Sequence, residues 1–281
     1  MRNLVIVSIV ALTAVLSFAP VAFSQDPHDS HWRTCAQCQT EKERVAARAK
    51  TANLPFSPRD LSGIWGNNQN RIQLNFNSPP LTPWGKAKYD ATKTEETPDG
   101  QPISNSKDGM LICDPLGWPR WFTYNYGFEF VQLPERTFQF IEWDHTWRTI
   151  WTDGRPLPKD PDSRWLGYSV GRWEGDTFVV ESNGFDERSW LSENRQDRRW
   201  GWPHTEEMRT VERYKRVDHN SIDVSLTIID PKIYTAPWVT TGKFLLNPGT
   251  ELWEDFCVTS DSDYYNSKVL RPAAGDYKDD R

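Results

Sequence analysis

The sequence predicts an all-β chain, a single antiparallel up-and-down barrel, and three features predict it. Stretches of alternating apolar and polar residues recur along the second half of the chain, as in Arg164 to Asp186, where Leu166, Tyr168 and Val170 precede Phe178 and Val180. That period of two belongs to a sheet with one better-buried face. Turn chemistry separates the runs: Glu174-Gly175-Asp176 is the glycine-bearing turn of a tight hairpin. Finally, 15 Trp and 9 Tyr against only 3 Met suit strands and cavity walls more than helical bundles.

Taken in order, the chain begins with an export signal. Arg2, an apolar run from Leu4 to Ala19 and Ala22-Phe23-Ser24 as a small-x-small cleavage site assign residues 1–24 to a signal peptide. The apolar run is shorter than the ~20 residues a membrane span needs. The mature protein is therefore expected to be periplasmic or extracellular. Residues 25–60 form an N-terminal segment with a short helix near Thr40 to Ala52, punctuated by Pro55 and Pro58. His28, His31, Cys35 and Cys38 are crowded into eleven residues without the scaffold separation of a zinc site, so no metal is expected there. Gln39 stands where a haem-attaching CxxCH motif needs histidine. Export makes cysteine pairing the default, and Cys113 with Cys257 is the expected disulfide, tying the approach to the first hairpin to the last strand.

The barrel domain is expected over 61–258 and a polar tail over 259–281. Gly63 to Trp65 opens it, and Asn67 to Asp108 reads as an irregular wrap with a helical turn or two around Pro83 to Thr92. Strands follow near Gly127 to Leu133, Thr137 to Trp143, Trp147 to Thr152, Leu166 to Trp173, Thr177 to Asn183, Glu207 to Val217, Ser221 to Ile229, Trp238 to Leu246 and Glu251 to Val258. In Ser221 to Ile229 the four side chains Ile222, Val224, Leu226 and Ile228 share one face. A series this long can close on itself and abolish exposed edges; a two-sheet sandwich is the alternative.

The Gly63-Ile64-Trp65 opening resembles that of lipocalins and related calycin barrels, in which the tryptophan plugs the closed end. The set DLSGIW, CDPLGWPR, WLGYSVGRWEGDT and PHTEE resembles an uncharacterised family of exported, β-rich bacterial proteins. That resemblance implies a single lipocalin-like domain and no established activity.

In an up-and-down meander the connections alternate between ends. The tight turns at Asp144 to Thr146, Glu174 to Asp176, Asp218 to Asn220 and Asn247 to Thr250 are thereby assigned to one end. The long connections Asp153 to Trp165, Gly184 to Glu206 and Asp230 to Pro237 fall at the other, where a site is expected. His204 is the candidate for proton transfer, with Asp186 and Glu206 as carboxylate partners. Ligand contacts are expected from Arg148, Trp165, Trp190, Trp202 and Tyr234, with His145 joining if its hairpin turns the other way. On the strand of Arg148, either the arginine and Ile150 or the rings of Trp147 and Trp151 face inward; an inward guanidinium must be paired, with Glu142, Glu181 and Glu212 as internal partners.

No serine-hydrolase elbow, zinc-protease helix or phosphate loop is present, so no cofactor is expected. A net charge of −6 with interspersed signs argues against nucleic acid and membrane partners. The expected function is binding of a small, partly apolar or aromatic ligand. The alternatives are a cofactor-free hydratase, lyase or isomerase, and a carbohydrate-binding module.

Overall fold

The structure is a computed structural model that describes residues 39–66, 79–100, 107–124, 126–192 and 201–270; the expected signal peptide and the Cys35/Cys38 pair lie outside them. Its strands are β1 (Gly63–Gly66), β2 (Phe128–Gln132), β3 (Arg136–Ile141), β4 (Trp147–Trp151), β5 (Tyr168–Glu174), β6 (Thr177–Asn183), β7 (Arg209–Asp218), β8 (Ser221–Ile229) and β9 (Trp238–Leu246). They form one closed barrel in chain order, with β9 pairing back onto β1. The sandwich is thereby excluded.

Two expectations are corrected. The segment Glu251 to Val258 is not a strand: it forms no ladder, and it meets the β3–β4 hairpin through an isolated bridge from Asp255 to Trp143 and a hydrogen bond from Cys257 N to Asp144 Oδ1. β1 already occupies the free edge of β9, so no edge is left for another strand. The barrel is also not wholly antiparallel. β4 and β5 run parallel, joined by Ile150 opposite Ser169 and Trp151 opposite Val170. Parallel neighbours need a crossover that carries the chain back along the barrel. Residues 152–167 do this, and Pro156, Pro158 and Pro161 suit a segment that does not join a ladder.

That crossover shifts the assignment of turns to ends. Following strand directions from β2, the turns after β2, β5 and β7 lie at one end, the turn end. The β3–β4 turn with Asp144 and His145 lies at the other, the loop end, together with the β6–β7 and β8–β9 connections. The expectation that His145 sits with the tight turns is therefore wrong. The physical reason is that 153–165 traverses the barrel and is not a loop confined to one end.

Alternation sorts the side chains as the strand pattern predicts. Ile222, Val224, Leu226 and Ile228 on β8 are all buried, as are Phe178, Val180 and Ser182 on β6. The turn end is shut by Trp65, whose ring is buried and whose Nε1 donates to Leu61 O at 2.8 Å. Arg216 on β7 lies over that ring at 5.3 Å and donates to Asp60 O and His219 O. Helix α1 (Glu41–Thr51), started by a Thr40/Glu43 capping box, docks beside it through Asn220, which donates to Arg48 O at 2.9 Å.

The loop end is filled from inside the chain. Residues 107–124 carry two short 3-10 turns, Gly109–Ile112 and Arg120–Thr123, and insert Trp118, Trp121 and Phe122, all buried. Phe122 meets Phe244 at 5.1 Å and Tyr214 at 6.4 Å, and Trp121 meets Phe128 edge-on at 5.2 Å. Within this plug Arg120 grips Asp108 in a buried bidentate pair. The predicted disulfide is present: Cys113 at the head of the plug joins Cys257, across a sequence separation of 144.

Because that bond ties the plug to the segment beyond β9, removing it frees both. The double variant Cys113→Ala/Cys257→Ala is expected to lose about 2–5 kcal/mol of unfolding free energy. Urea titration followed by tryptophan fluorescence measures it; an unchanged midpoint would show that the plug is held by packing alone.

Candidate functional site

Within β4 the arginine faces inward: Arg148 and Ile150 are buried, whereas Trp147 is 59% exposed. The Arg148 guanidinium takes Glu212 of β7 in a two-point grip, donates from Nε to Gln139 Oε1 at 3.0 Å and lies 3.6 Å from the Trp118 ring. Tyr214 donates its hydroxyl to Glu212 Oε2 at 2.7 Å. Burial alone would lower the arginine's proton affinity, but Glu212 beside it outweighs burial and the net shift is upward. Burial, then the Glu212 charge, pushes the Tyr214 hydroxyl well up. Glu212 was among the three carboxylates that the sequence offered as partners, and the charge of Arg148 is neutralised inside the barrel by it.

His204 precedes β7 and is 0% exposed. Its Nδ1 lies 3.1 Å from Thr205 O, and a carbonyl only accepts, so Nδ1 carries the proton. Nε2 then accepts from the Ser189 hydroxyl at 2.9 Å. Asp230 holds the same loop by accepting from Thr205 N at 2.6 Å and Oγ1 at 3.2 Å. Burial, which disfavours imidazolium, lowers the His204 pKa. Asp186 bonds Arg188 through Nε at 3.0 Å and Nη2 at 2.6 Å, which holds its carboxyl below the ordinary range. Glu206 is exposed and lines a separate cleft. The three candidate acid/base residues thus share a neighbourhood in sequence, while their bonds lead to different partners.

Most of the candidate rings serve packing. Trp202 stacks on Tyr89 at 4.5 Å and meets Trp238 edge-on at 5.5 Å; Tyr234 donates its hydroxyl to Pro203 O at 2.9 Å. Tyr89 comes from helix α2 (Pro83–Ala91), capped by Thr82 and seated on the β8–β9 connection at Gly85, where an added Cβ would lie 2.3 Å from Ile233 O. Trp165 carries Arg188 over its ring at 4.4 Å, and Trp190 carries Arg120 at 5.4 Å. His145 is exposed and stacks on Phe256 at 4.6 Å.

The concavity that sequence reading missed lies in the barrel wall. Toward the loop end β4 and β5 separate, and a cleft of about 350 Å³ opens between them, lined by Trp147, Thr149, Trp151, Arg164, Leu166 and Tyr168, with Arg148 also at its wall. Its rim is stitched: Arg164 N donates to Gly184 O and Asp186 N to Arg164 O, both at 2.9 Å. Arg155 lies 3.7 Å over Trp151, donates to Tyr168 OH at 3.1 Å, and is held by Asp153. Arg164 sits 5.6 Å over the Tyr168 ring and has no carboxylate partner among the described residues. The signal that pointed here was the outward pair Trp147 and Trp151, once Arg148 was known to point in.

No group of His, Cys, Asp and Glu suited to a metal occurs among the described residues, and no helix among them is long and apolar enough to cross a membrane. No family model, curated protein or solved structure matches the chain.

Two outcomes follow from these contacts. Glu212→Gln leaves a buried guanidinium without its counter-charge and is expected to cost about 3–5 kcal/mol, whereas Arg148→Met/Glu212→Leu together cost less than the single change; urea midpoints compare them. Second, the His204 pKa in the folded chain lies below the ordinary 6.5, so above that pH the group adds no pH dependence. Below it the unfolded chain takes up a proton that the folded one refuses, and stability falls as pH drops, by up to about 1.4 kcal/mol per pH unit. Stability measured from pH 7.5 to 5.5, about one unit either side of that value, should show the fall in the native chain and a shallower one in His204→Gln.

Proposed function

We propose that this chain is an exported small-molecule-binding barrel whose ligand, a compact aromatic anion, lies in the cleft between β4 and β5. The observation that carries the reading is the unneutralised Arg164 guanidinium in a concavity walled by Trp147, Trp151 and Tyr168. Rings supply apolar and stacking contact at low conformational cost, and a planar guanidinium matches a carboxylate in two-point geometry. Of the other cations nearby, Arg148 is taken by Glu212 and Arg155 by Asp153, while Arg136 lies 4.9 Å over the Trp151 ring as a further positive charge on the same wall. A disulfide and a leader-like N-terminus support export, and the buried Trp65 at the shut turn end supports kinship with lipocalin-like barrels. The acid/base alternative has the Ser189–His204 bond in its favour, but both groups are buried, with Gly117 packed so closely that an added Cβ would lie 2.4 Å from Ser189 Oγ.

Tryptophan fluorescence titrated with 2-naphthoate, the neutral 2-naphthalenemethanol and a gluco-oligosaccharide tests the reading. Arg164→Gln is expected to weaken naphthoate about tenfold, roughly 1.4 kcal/mol, with little effect on the alcohol; Trp147→Ala should weaken both. Equal naphthoate affinity in Arg164→Gln, or quenching by the oligosaccharide alone, sinks it.

A further inference from the structure

The crossover that opens the first cleft also lines a second, distinct one. Asn183 closes β6 on its outward face, yet it is only 5% exposed because residues 152–167 lie over it. Its Nδ2 donates to Pro158 O at 2.7 Å, and since a carbonyl accepts only, this contact settles which end of the amide is nitrogen. The remaining oxygen, Oδ1, is buried and has no hydrogen-bond partner. Buried acceptors are rarely left in that state without a reason. Asn183 lines a cleft of about 430 Å³ together with Lys159, Asp160, Glu206 and Arg209.

The charges in this cleft are arranged unusually. Lys159 and Asp160 belong to the crossover, Glu206 and Arg209 to the approach and start of β7, and none of the four has an ion-pair partner among the described residues. Glu207 next to them is taken by Lys232 at 2.6 Å. Opposite charges that share a concavity without meeting leave both signs for a ligand that carries both. A buried acceptor beside carboxylates suits an ammonium group, and an unpaired guanidinium suits a carboxylate.

We infer that this second cleft binds a zwitterionic α-amino acid, its ammonium donating to Asn183 Oδ1 on the side of Asp160 and Glu206, and its carboxylate received by Arg209. The inference stands apart from the aromatic-anion site, since the two clefts share the crossover but no lining residue.

The test is a titration of the ¹⁵N-labelled protein with each common α-amino acid, and with ethylamine, acetate and glucose, followed at the Asn183 side-chain amide resonances. At least one amino acid should shift them and bind about tenfold tighter than ethylamine or acetate. Arg209→Gln, an exposed position, should abolish that tenfold advantage and leave ethylamine unchanged; Asn183→Ala should weaken amino acid and ethylamine alike. The inference falls if no amino acid shifts the resonances at millimolar concentration, if acetate or glucose binds as well, or if Arg209→Gln binds as the native chain does. Should Asn183→Ala fail to fold, Arg209→Gln decides alone. Naphthoate quenching in Arg209→Gln, expected to be native, separates failure here from failure of the first site.

Discussion

The parallel pairing of β4 with β5 is the constraint on which the rest of the molecule turns. In an all-antiparallel barrel each connection is a hairpin and the wall is continuous. One parallel neighbour changes both conditions. The chain must run back along the barrel, so residues 152–167 become a strap, and the two strands share only a short register before they separate. The first consequence covers Asn183 and gathers charges beside it; the second opens the wall next to Trp147 and Trp151. Both candidate sites are therefore products of a single departure from simple topology.

The interior follows a different logic. The barrel is not left open for a guest, because the chain supplies its own plug: Trp118, Trp121 and Phe122 stand inside it against Phe128, Tyr214 and Phe244. A charge admitted to such a core requires its opposite, and Arg148 finds Glu212 across the barrel with Trp118 on its face. The pair links β4, β7 and the plug at one point. Burial has likewise put His204 where its nitrogens meet Ser189 and Thr205 O, a polar cross-link within the loop-end packing.

Much of the fold was legible beforehand. Alternation and turn residues located the eight strands from β2 to β9, Gly63 to Trp65 located β1, and the pairing of Cys113 with Cys257 came from compartment and position. The inward face of β8 could be read residue by residue because four branched apolar side chains share one parity. The face of Arg148 could not, because both parities of Trp147 to Trp151 contain residues able to be buried. The candidate site was less legible still. Trp202, Tyr234 and Trp190 look like ligand contacts when seen as rings on long loops, yet loops this rich in rings pack upon one another and on Tyr89 or Arg120. Arg164 and Asn183 carried no local mark at all.

By itself, then, the sequence determined what depends on neighbours along the chain: strand period, hairpin turns, the short helix near Thr40 to Ala52, and a closed all-β architecture. Only the tertiary structure decided what depends on strands meeting in space. The direction of β5 relative to β4, the end of the barrel that receives His145, the partner of each buried charge and the unpaired state of the Asn183 side-chain oxygen belong to this group. The physical reason is that periodicity encodes which side of a strand is buried, and that information is the same whether the next strand runs up or down. Orientation is settled by the packing of the crossover against β6, a contact between residues about 25 positions apart or more whose types, proline and asparagine, are equally at home in any exposed loop.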